Sequence, residues 1–519
     1  MKRGTILLCK SNEIGIWFNQ RDFEYDVHSL VMAFYPGKQI SLCYGEDFFV
    51  TDYSTAVKLE YSLDKIRLSL FEDGQFCCEE ETAIDYKKDR TETKNELKRM
   101  IYRVLCVHTG KTLPWGNLTG IRPTKLPMRM LEQGMSNVEI AQYLRETYYL
   151  SNEKTALAIT IANREKELLK DIDYERGYSL YVGVPFCPSI CLYCSFSSYP
   201  LQKWEKRVDE YVDALCYEMK KTADFMKGRK LNTIYIGGGT PTTLNPKQLE
   251  RVLTCLERYF PYEDLLEFTV EAGRPDSITR QKLEVLKRFP VTRISVNPQT
   301  MNQETLDIIG RRHTVEETKQ AFLLAREMGF DNINMDLIIG LPGEDKQMVQ
   351  KTLDEVKTLN PDSLTVHSLA VKRAARLSMF KEKYQEMTFE NSQEIMDMTM
   401  DYARQMQMGP YYLYRQKNMA GNFENVGYAR EGKAGIYNIL IMEEKQPILA
   451  LGAGGSTKLV FDNGKRIERV ENVKDVTNYL ERIDEMIERK RIGIETYLGG
   501  VTDDCGSVCE EKRGQHDCN

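Results

Sequence analysis

From Tyr178 onward, short apolar runs alternate with longer amphipathic segments, and this rhythm restricts the fold more than any other feature of the chain. Residues 180–184, 233–236, 266–271, 293–296, 332–338 and 363–367 read as strands. Between them, residues 209–226, 246–259, 277–287, 315–328 and 346–359 read as helices. Strand–helix repetition of this kind predicts a parallel sheet with helical crossovers. Six strands fall short of the eight that close a full barrel. The expected fold is therefore α/β, an open partial (β/α)6 barrel. Functional residues should gather at the C-terminal strand ends, where the connecting loops meet.

The first strand leads directly into cysteines. The run Val184-Pro-Phe-Cys-Pro-Ser-Ile-Cys-Leu-Tyr-Cys-Ser-Phe196 places Cys187, Cys191 and Cys194 in a C-x3-C-x2-C spacing. Three thiolates are one fewer than a fully protein-ligated [4Fe–4S] cube needs. A cube held by three leaves one iron open to the amino and carboxylate groups of S-adenosylmethionine (SAM). An electron from such a cluster can cleave the sulfonium and release a 5'-deoxyadenosyl radical. Zinc is the other reading of three neighbouring cysteines, but it usually takes four protein ligands. No histidine lies close by; the next along the chain is His313.

The later strand ends are polar or rich in glycine. The second closes in Gly237-Gly-Gly-Thr-Pro-Thr242, where glycines let backbone approach a ligand. That loop lacks the lysine of a phosphate-binding P-loop. Glu271 ends the third strand, Gln299 follows the fourth, and Asp336 sits late in the fifth. A carboxylate in an otherwise apolar strand needs a partner or a ligand. Each alone also reads as a structural polar group; four such ends in succession predict a ligand-lined mouth.

Together these motifs resemble a known family. Tyr181-Val-Gly-Val-Pro-Phe-Cys187, the cysteine triad with Tyr193, the Gly237 loop, Gly310-Arg-Arg-His313 and Asp336-Leu-Ile-Ile-Gly-Leu-Pro342 are similar to the oxygen-independent coproporphyrinogen III oxidases of the radical SAM superfamily. The resemblance covers roughly residues 177–370 and recurs more loosely in Leu451-Gly-Ala-Gly-Gly455. The long N-terminal region, the turn-rich loop at 113–124 and Tyr412-Leu-Tyr-Arg-Gln-Lys-Asn418 resemble the HemZ-type branch. The resemblance implies that Cys187, Cys191 and Cys194 hold a [4Fe-4S] cluster. It implies that Tyr181, Tyr193, Gly238, Gly239 and Thr240 contact S-adenosyl-L-methionine. Glu271, Gln299, Arg311, Asp336 and Ala370 fall where the family lines its one or two SAM sites, with Tyr181 and Arg311 as candidate catalytic residues.

The chain also departs from the family pattern. Gly183 stands where Tyr-x-His-x-Pro-Phe-Cys has histidine, and Phe196 where the best-characterised oxidases carry a fourth cysteine. Glu-x-Asn-Pro becomes Glu271-Ala-Gly-Arg-Pro275, and Asn297-Pro298 precedes Gln299 in place of the usual glycine. These changes leave SAM cleavage expected and the substrate open.

The flanking regions read differently. Residues 15–18, 39–44, 57–63 and 65–70, with 5–8 before them, suggest strands; 92–108, 124–133, 137–147 and 152–170 suggest helices. Ser136 and Ser151 look like helix caps, the second with Lys154 where a capping box has Glu or Gln. After Lys372 the pattern is helix-rich, then strand-like at 436–442 and 448–451, with a last helix at 473–491. The expected division is an α+β N-terminal domain (1–170), the partial barrel (171–380), a smaller substrate-covering C-terminal domain (381–498) and a polar tail (499–519). That tail carries Cys505, Cys509, His516 and Cys518.

Composition limits the function classes. A net charge of −6 gives no global basic field for nucleic acid, and no stretch approaches a membrane span. Thirteen cysteines without a secretion signal imply a reducing cytoplasm. The resemblance then implies decarboxylation of coproporphyrinogen III, with electrons from a small flavodoxin- or ferredoxin-type protein. A tetrapyrrole with four carboxylates calls for cations, for which Arg311, Arg312, Lys372, Arg373, Arg415 and Lys417 are candidates. A haem chaperone of the same family, or an enzyme acting on another tetrapyrrole, is the alternative.

Overall fold

The computed structural model describes residues 10–84, 89–370, 375, 377, 391–416 and 423–502. The chain forms two compact units. The first comprises residues 1–170, 299–305 and 336–434; the second comprises 171–298, 306–335 and 435–519.

The first unit opens with strands β1 (Lys10–Phe18), β2 (Gln39–Tyr44), β3 (Tyr53–Tyr61), β4 (Lys65–Glu72) and β5 (Gln75–Ala83), ordered β2-β1-β3-β4-β5. Alternation along β1 buries Ile14, Ile16 and Phe18. Helices Glu24–Phe34 and Arg90–Thr109 supply Leu30, Val31, Leu97 and Ile101 to the same core. The sequence patterns at 15–18, 39–44, 57–63 and 65–70 fall on β1 to β4; the strand expected at 5–8 lies outside the described residues. Helix Glu24–Phe34 provides the crossover that the parallel β1–β2 pair requires. The helices Lys125–Glu132, Asn137–Tyr148 and Asn152–Leu168 follow. Ser136 forms a reciprocal capping box with Glu139, whereas Ser151 accepts only from the Lys154 N–H, as its sequence suggests.

In the second unit lie β6 (Gly177–Val184), the two-residue strands β7 (Phe186–Cys187) and β8 (Tyr199–Pro200), then β9 (Lys230–Gly238), β10 (Glu267–Glu271) and β11 (Arg293–Ser295). β6, β9, β10 and β11 are parallel neighbours in chain order, and β11 continues parallel to the start of β12 (Ile333–Ile339). β12 ends in the first unit, where β13 (Ser363–Ser368) is its neighbour and the Leu369 N–H donates to the Ile339 carbonyl at 2.9 Å. Helices Val208–Thr222, Pro246–Tyr259, Arg280–Lys287, Val315–Glu327, Lys346–Leu359 and Gln393–Gln405 follow the six strands in turn. This is the partial (β/α)6 arrangement that the strand–helix rhythm predicts.

Both flanks of this parallel set carry additional strands. β14 (Gly409–Tyr414) and β15 (Asn425–Ala429) form an antiparallel pair, with β15 also antiparallel to β13. β16 (Ile448–Leu451) runs parallel to β6, followed by the antiparallel β17 (Ser456–Phe461) and β18 (Arg466–Glu471). One expectation is overturned: residues 436–442 are not a strand but helix Ile436–Glu443. Its apolar, β-branched composition favours a strand locally. Tertiary context reverses that preference, because the buried Glu267 carboxylate accepts from the Ile436 N–H at the helix start. The single last helix becomes two, Val476–Glu481 and Ile483–Thr502.

Candidate functional site

The cysteine loop is fixed at both ends. Where β6 stops, the Gly239 N–H donates to the Val184 carbonyl at 2.7 Å and the Thr240 N–H to that of Phe186 at 2.8 Å. At the far end the Tyr199 N–H reaches the Pro185 carbonyl at 2.9 Å, and β7 pairs with β8. Inside the loop, the Cys194 N–H donates to the Cys191 carbonyl at 3.2 Å. The Leu192 N–H donates to Ile309 O at 2.9 Å, and Ser189 Oγ to Gly310 O at 2.8 Å. The Gly310-Arg-Arg-His segment is thereby joined to the cysteines.

Each thiol has its own surroundings. Thr240 Oγ1 lies 3.6 Å from Cys187 Sγ. Arg274, 3% exposed, directs Nη1 at Cys191 Sγ (3.6 Å) and Ser189 Oγ (3.1 Å). Two further bonds, at 3.0 and 2.8 Å, fix its guanidinium on Asp276. The buried Arg311 donates to Asn297 O and also faces Tyr193 and Cys191. Burial pushes the Cys187 thiol up to about 11 and raises that of Cys194. His313 is buried beside these cations; burial first, then Arg311 and Arg274, hold it neutral down to about 3.

The donor set fits a multi-iron cluster better than a single ion. A tetrahedral zinc with Zn–S of about 2.3 Å spaces its sulfurs about 3.8 Å apart. Among the described residues, the cysteine sulfurs do not form a trio with all members within 4.8 Å of one another. Three thiols in C-x3-C-x2-C spacing, with two guanidinium groups to balance their charge, suit an iron–sulfur cube.

The next strand end lies alongside. Gly183 and Val184 pair with Gly237 and Gly238. Gly238 has φ +107°, a conformation reserved for glycine, and a Cβ on Gly239 would meet Phe186 O at 2.5 Å. Glycine at both positions therefore lets the turn pack against the backbone that leads into the cysteine loop. Tyr181 stacks on Tyr235 (centroids 6.3 Å), which stacks on Tyr437 (4.4 Å), and the Tyr235 hydroxyl donates to Glu271. Burial, aided by Glu271, holds the Tyr181 phenol well above its ordinary value. On the other side of β6, the Gly452 loop is secured by Glu218, and the Tyr211 hydroxyl donates to Gly183 O while accepting from the Ala453 N–H.

Gln299, Asp336 and Ala370 fall in the first unit. Gln299 has φ +69° and is buried, with its N–H on Asp336 O at 3.0 Å. Its Oε1 is buried with no hydrogen-bond partner among the described residues. Asp336 Oδ2 lies 3.8 Å from His367 Nε2, and His367 Nδ1 lies 3.4 Å from the Tyr414 hydroxyl. Ala370 is half-buried beyond β13. Among the candidate cations, Arg312 is exposed. Arg415 is buried and donates to Leu118 O at 2.6 Å. Lys372, Arg373, Lys417 and the tail cysteines lie outside the described residues. Sequence reading did not single out Arg274, Ser189, Tyr235 or His367.

The Radical SAM superfamily profile matches residues 181–356. The oxygen-independent coproporphyrinogen-III oxidase-like protein HemZ of Bacillus subtilis (strain 168) is 42% identical over 403 residues, 77% of this chain and 80% of the relative. The heme chaperone HemW of the same strain is 40% identical over 195 residues, 37% of this chain and 51% of the relative. The solved radical SAM coproporphyrinogen III oxidase HemN of Escherichia coli is 26% identical, with a TM-score of 0.49 over 60% of this chain and 70% of that one. A radical SAM domain implies a [4Fe-4S] cluster and SAM. The chain belongs to the radical SAM superfamily and, within it, to the family of the coproporphyrinogen-III oxidase-like protein HemZ.

Proposed function

We propose that this protein is a cytoplasmic oxygen-independent coproporphyrinogen III oxidase, converting two propionates to vinyls to give protoporphyrinogen IX. The supporting observation is the C-x3-C-x2-C loop at the end of β6, pinned against a glycine turn and faced by Arg274 and Arg311. Cys187, Cys191 and Cys194 hold the cluster in this reading. Tyr181, Tyr193, Gly238, Gly239, Thr240, Glu271, Gln299, Arg311, Asp336 and Ala370 are assigned to one or two SAM molecules. When bound, the cluster and SAM would supply the radical chemistry: a hydrogen atom passes from the propionate to the deoxyadenosyl radical, and CO2 and one electron, taken by an external one-electron acceptor, then leave a vinyl.

The chain's own residues bind and orient. Gly238 and Gly239 seat the turn directly against the start of the cysteine loop, and the Tyr181–Tyr235–Tyr437 stack gives that wall a rigid apolar face. Arg311 carries its charge to the cysteine loop without leaving its backbone anchor on Asn297. A small flavodoxin- or ferredoxin-type protein is the proposed electron donor.

The likeness to HemW favours a second reading, a haem-binding chaperone. Anaerobic reconstitution with SAM, dithionite and coproporphyrinogen III separates the two. Protoporphyrinogen IX formation, abolished by alanine at Cys187, Cys191 or Cys194, supports the oxidase. Stoichiometric haem binding with no decarboxylation supports the chaperone and refutes the oxidase.

A further inference from the structure

Three donor side chains meet at the rim of the N-terminal core, away from the cysteine loop in sequence and in a different compact unit. Glu72 closes β4 on the face that buries Leu68 and Leu70. His108 lies in the last turn of helix Arg90–Thr109, extending the stripe of Leu97, Ile101, Val104 and Leu105. Cys77 comes from β5, immediately after the tight Asp73-Gly74 turn. Pairing runs Phe71↔Phe76 and then Leu70↔Cys78, so Cys77 is the extra, unpaired residue of a β-bulge. Bulges re-aim side chains, and this one presents a thiol beside the other two donors.

We propose that Glu72, Cys77 and His108 form a zinc site. Their ligand atoms all lie within 4.8 Å of one another, and His108 Nε2 is 3.8 Å from Glu72 Oε2. Ligand bonds of about 2.0–2.3 Å place tetrahedral donors about 3.3–3.8 Å apart, so small side-chain rotations complete the shell. Thiolate with imidazole excludes magnesium and calcium, which take oxygen, and suits Zn2+. Three protein ligands leave a fourth position for water or an external donor. The helix C-terminus adds partial negative charge that favours a cation. The metal would tie the β4–β5 hairpin to the end of the helix.

The test uses holoenzyme reconstituted with iron and sulfide, so that the triad cysteines are occupied. Zn2+ is added, excess is removed, and metals are counted by elemental analysis. About one zinc per chain beyond the iron is expected, with a rise in melting temperature on zinc addition. Cys77→Ser, at an exposed position, and His108→Gln should each weaken zinc binding at least tenfold and cancel that rise. Absence of the extra zinc, or its retention in both variants, overturns the site. The readout does not depend on the tetrapyrrole chemistry, so each proposal can fail without the other.

Discussion

Lys490→Met isolates the ion pair that supports the Gly452 loop. Glu218 and Lys490 are both fully buried. The Glu218 carboxylate accepts from Lys490 Nζ (2.7 Å), Asn472 Nδ2 (2.8 Å), the Gly452 N–H (2.8 Å) and the Tyr479 hydroxyl (2.7 Å). Burial alone would raise its pKa, but Lys490 and the other donors bring it below the ordinary value. Methionine keeps the stem's packing and deletes the charge. A buried carboxylate left without its cation costs about 3–5 kcal/mol. For a unit of this size that is roughly 6–20 °C in melting temperature, at about 2–4 °C per kcal/mol.

The pH dependence adds a sign. In the wild type a depressed Glu218 pKa contributes stability that is present above the unfolded carboxyl value of about 4.3 and lost as pH falls through the folded value. In the variant, burial without Lys490 raises the folded value, so the carboxyl takes up a proton on folding. The variant's deficit should therefore be largest near pH 8 and shrink towards pH 5. Thermal unfolding of both proteins across that range is the assay. A deficit below about 1 kcal/mol, or one that does not change with pH, would refute the reasoning.

The parallel core was legible because its signals are local. Six short apolar runs, each followed by an amphipathic segment, are enough to specify strand–helix units, and all six strands lie where the pattern places them. The cysteine spacing is equally local. What sequence could not supply was long-range pairing. β14 carries Tyr411, Tyr412 and Tyr414 and has strand chemistry, but its partner β15 lies beyond the intervening segment, so neither run stood out from helix-rich surroundings. Residues 436–443 became a helix because a carboxylate 169 positions earlier caps it. Arg274 looked like a departure from a motif; only folding brings its guanidinium to Cys191. Gln299 is the opposite case: its position after a strand was legible, while its left-handed backbone and an amide oxygen without a partner among the described residues were not.

Three further outcomes follow from the site. Arg274→Gln should retain the cluster but lower its midpoint potential, because reduction adds negative charge next to Cys191 and a buried cation would be gone. A tenfold weaker electron uptake corresponds to about 59 mV, and an EPR-monitored titration that found an unchanged or higher potential would exclude the role. Gly239→Ala places a methyl 2.5 Å from Phe186 O and 2.8 Å from the Pro185 carbonyl carbon, both backbone atoms. The turn must shift, so SAM affinity should fall; a variant with wild-type SAM affinity would show that this tight packing of the turn is not needed. Asp336→Asn tests the first unit's polar group. If its carboxylate binds SAM directly, losing one charged hydrogen bond weakens binding by about 1.5–3 kcal/mol, roughly ten- to hundredfold in Kd. If Asp336 instead only organises His367 and Tyr414, the melting temperature falls and the affinity stays. Isothermal titration of SAM alongside a melting curve reads both quantities, and unchanged affinity in a folded variant removes Asp336 from the SAM site.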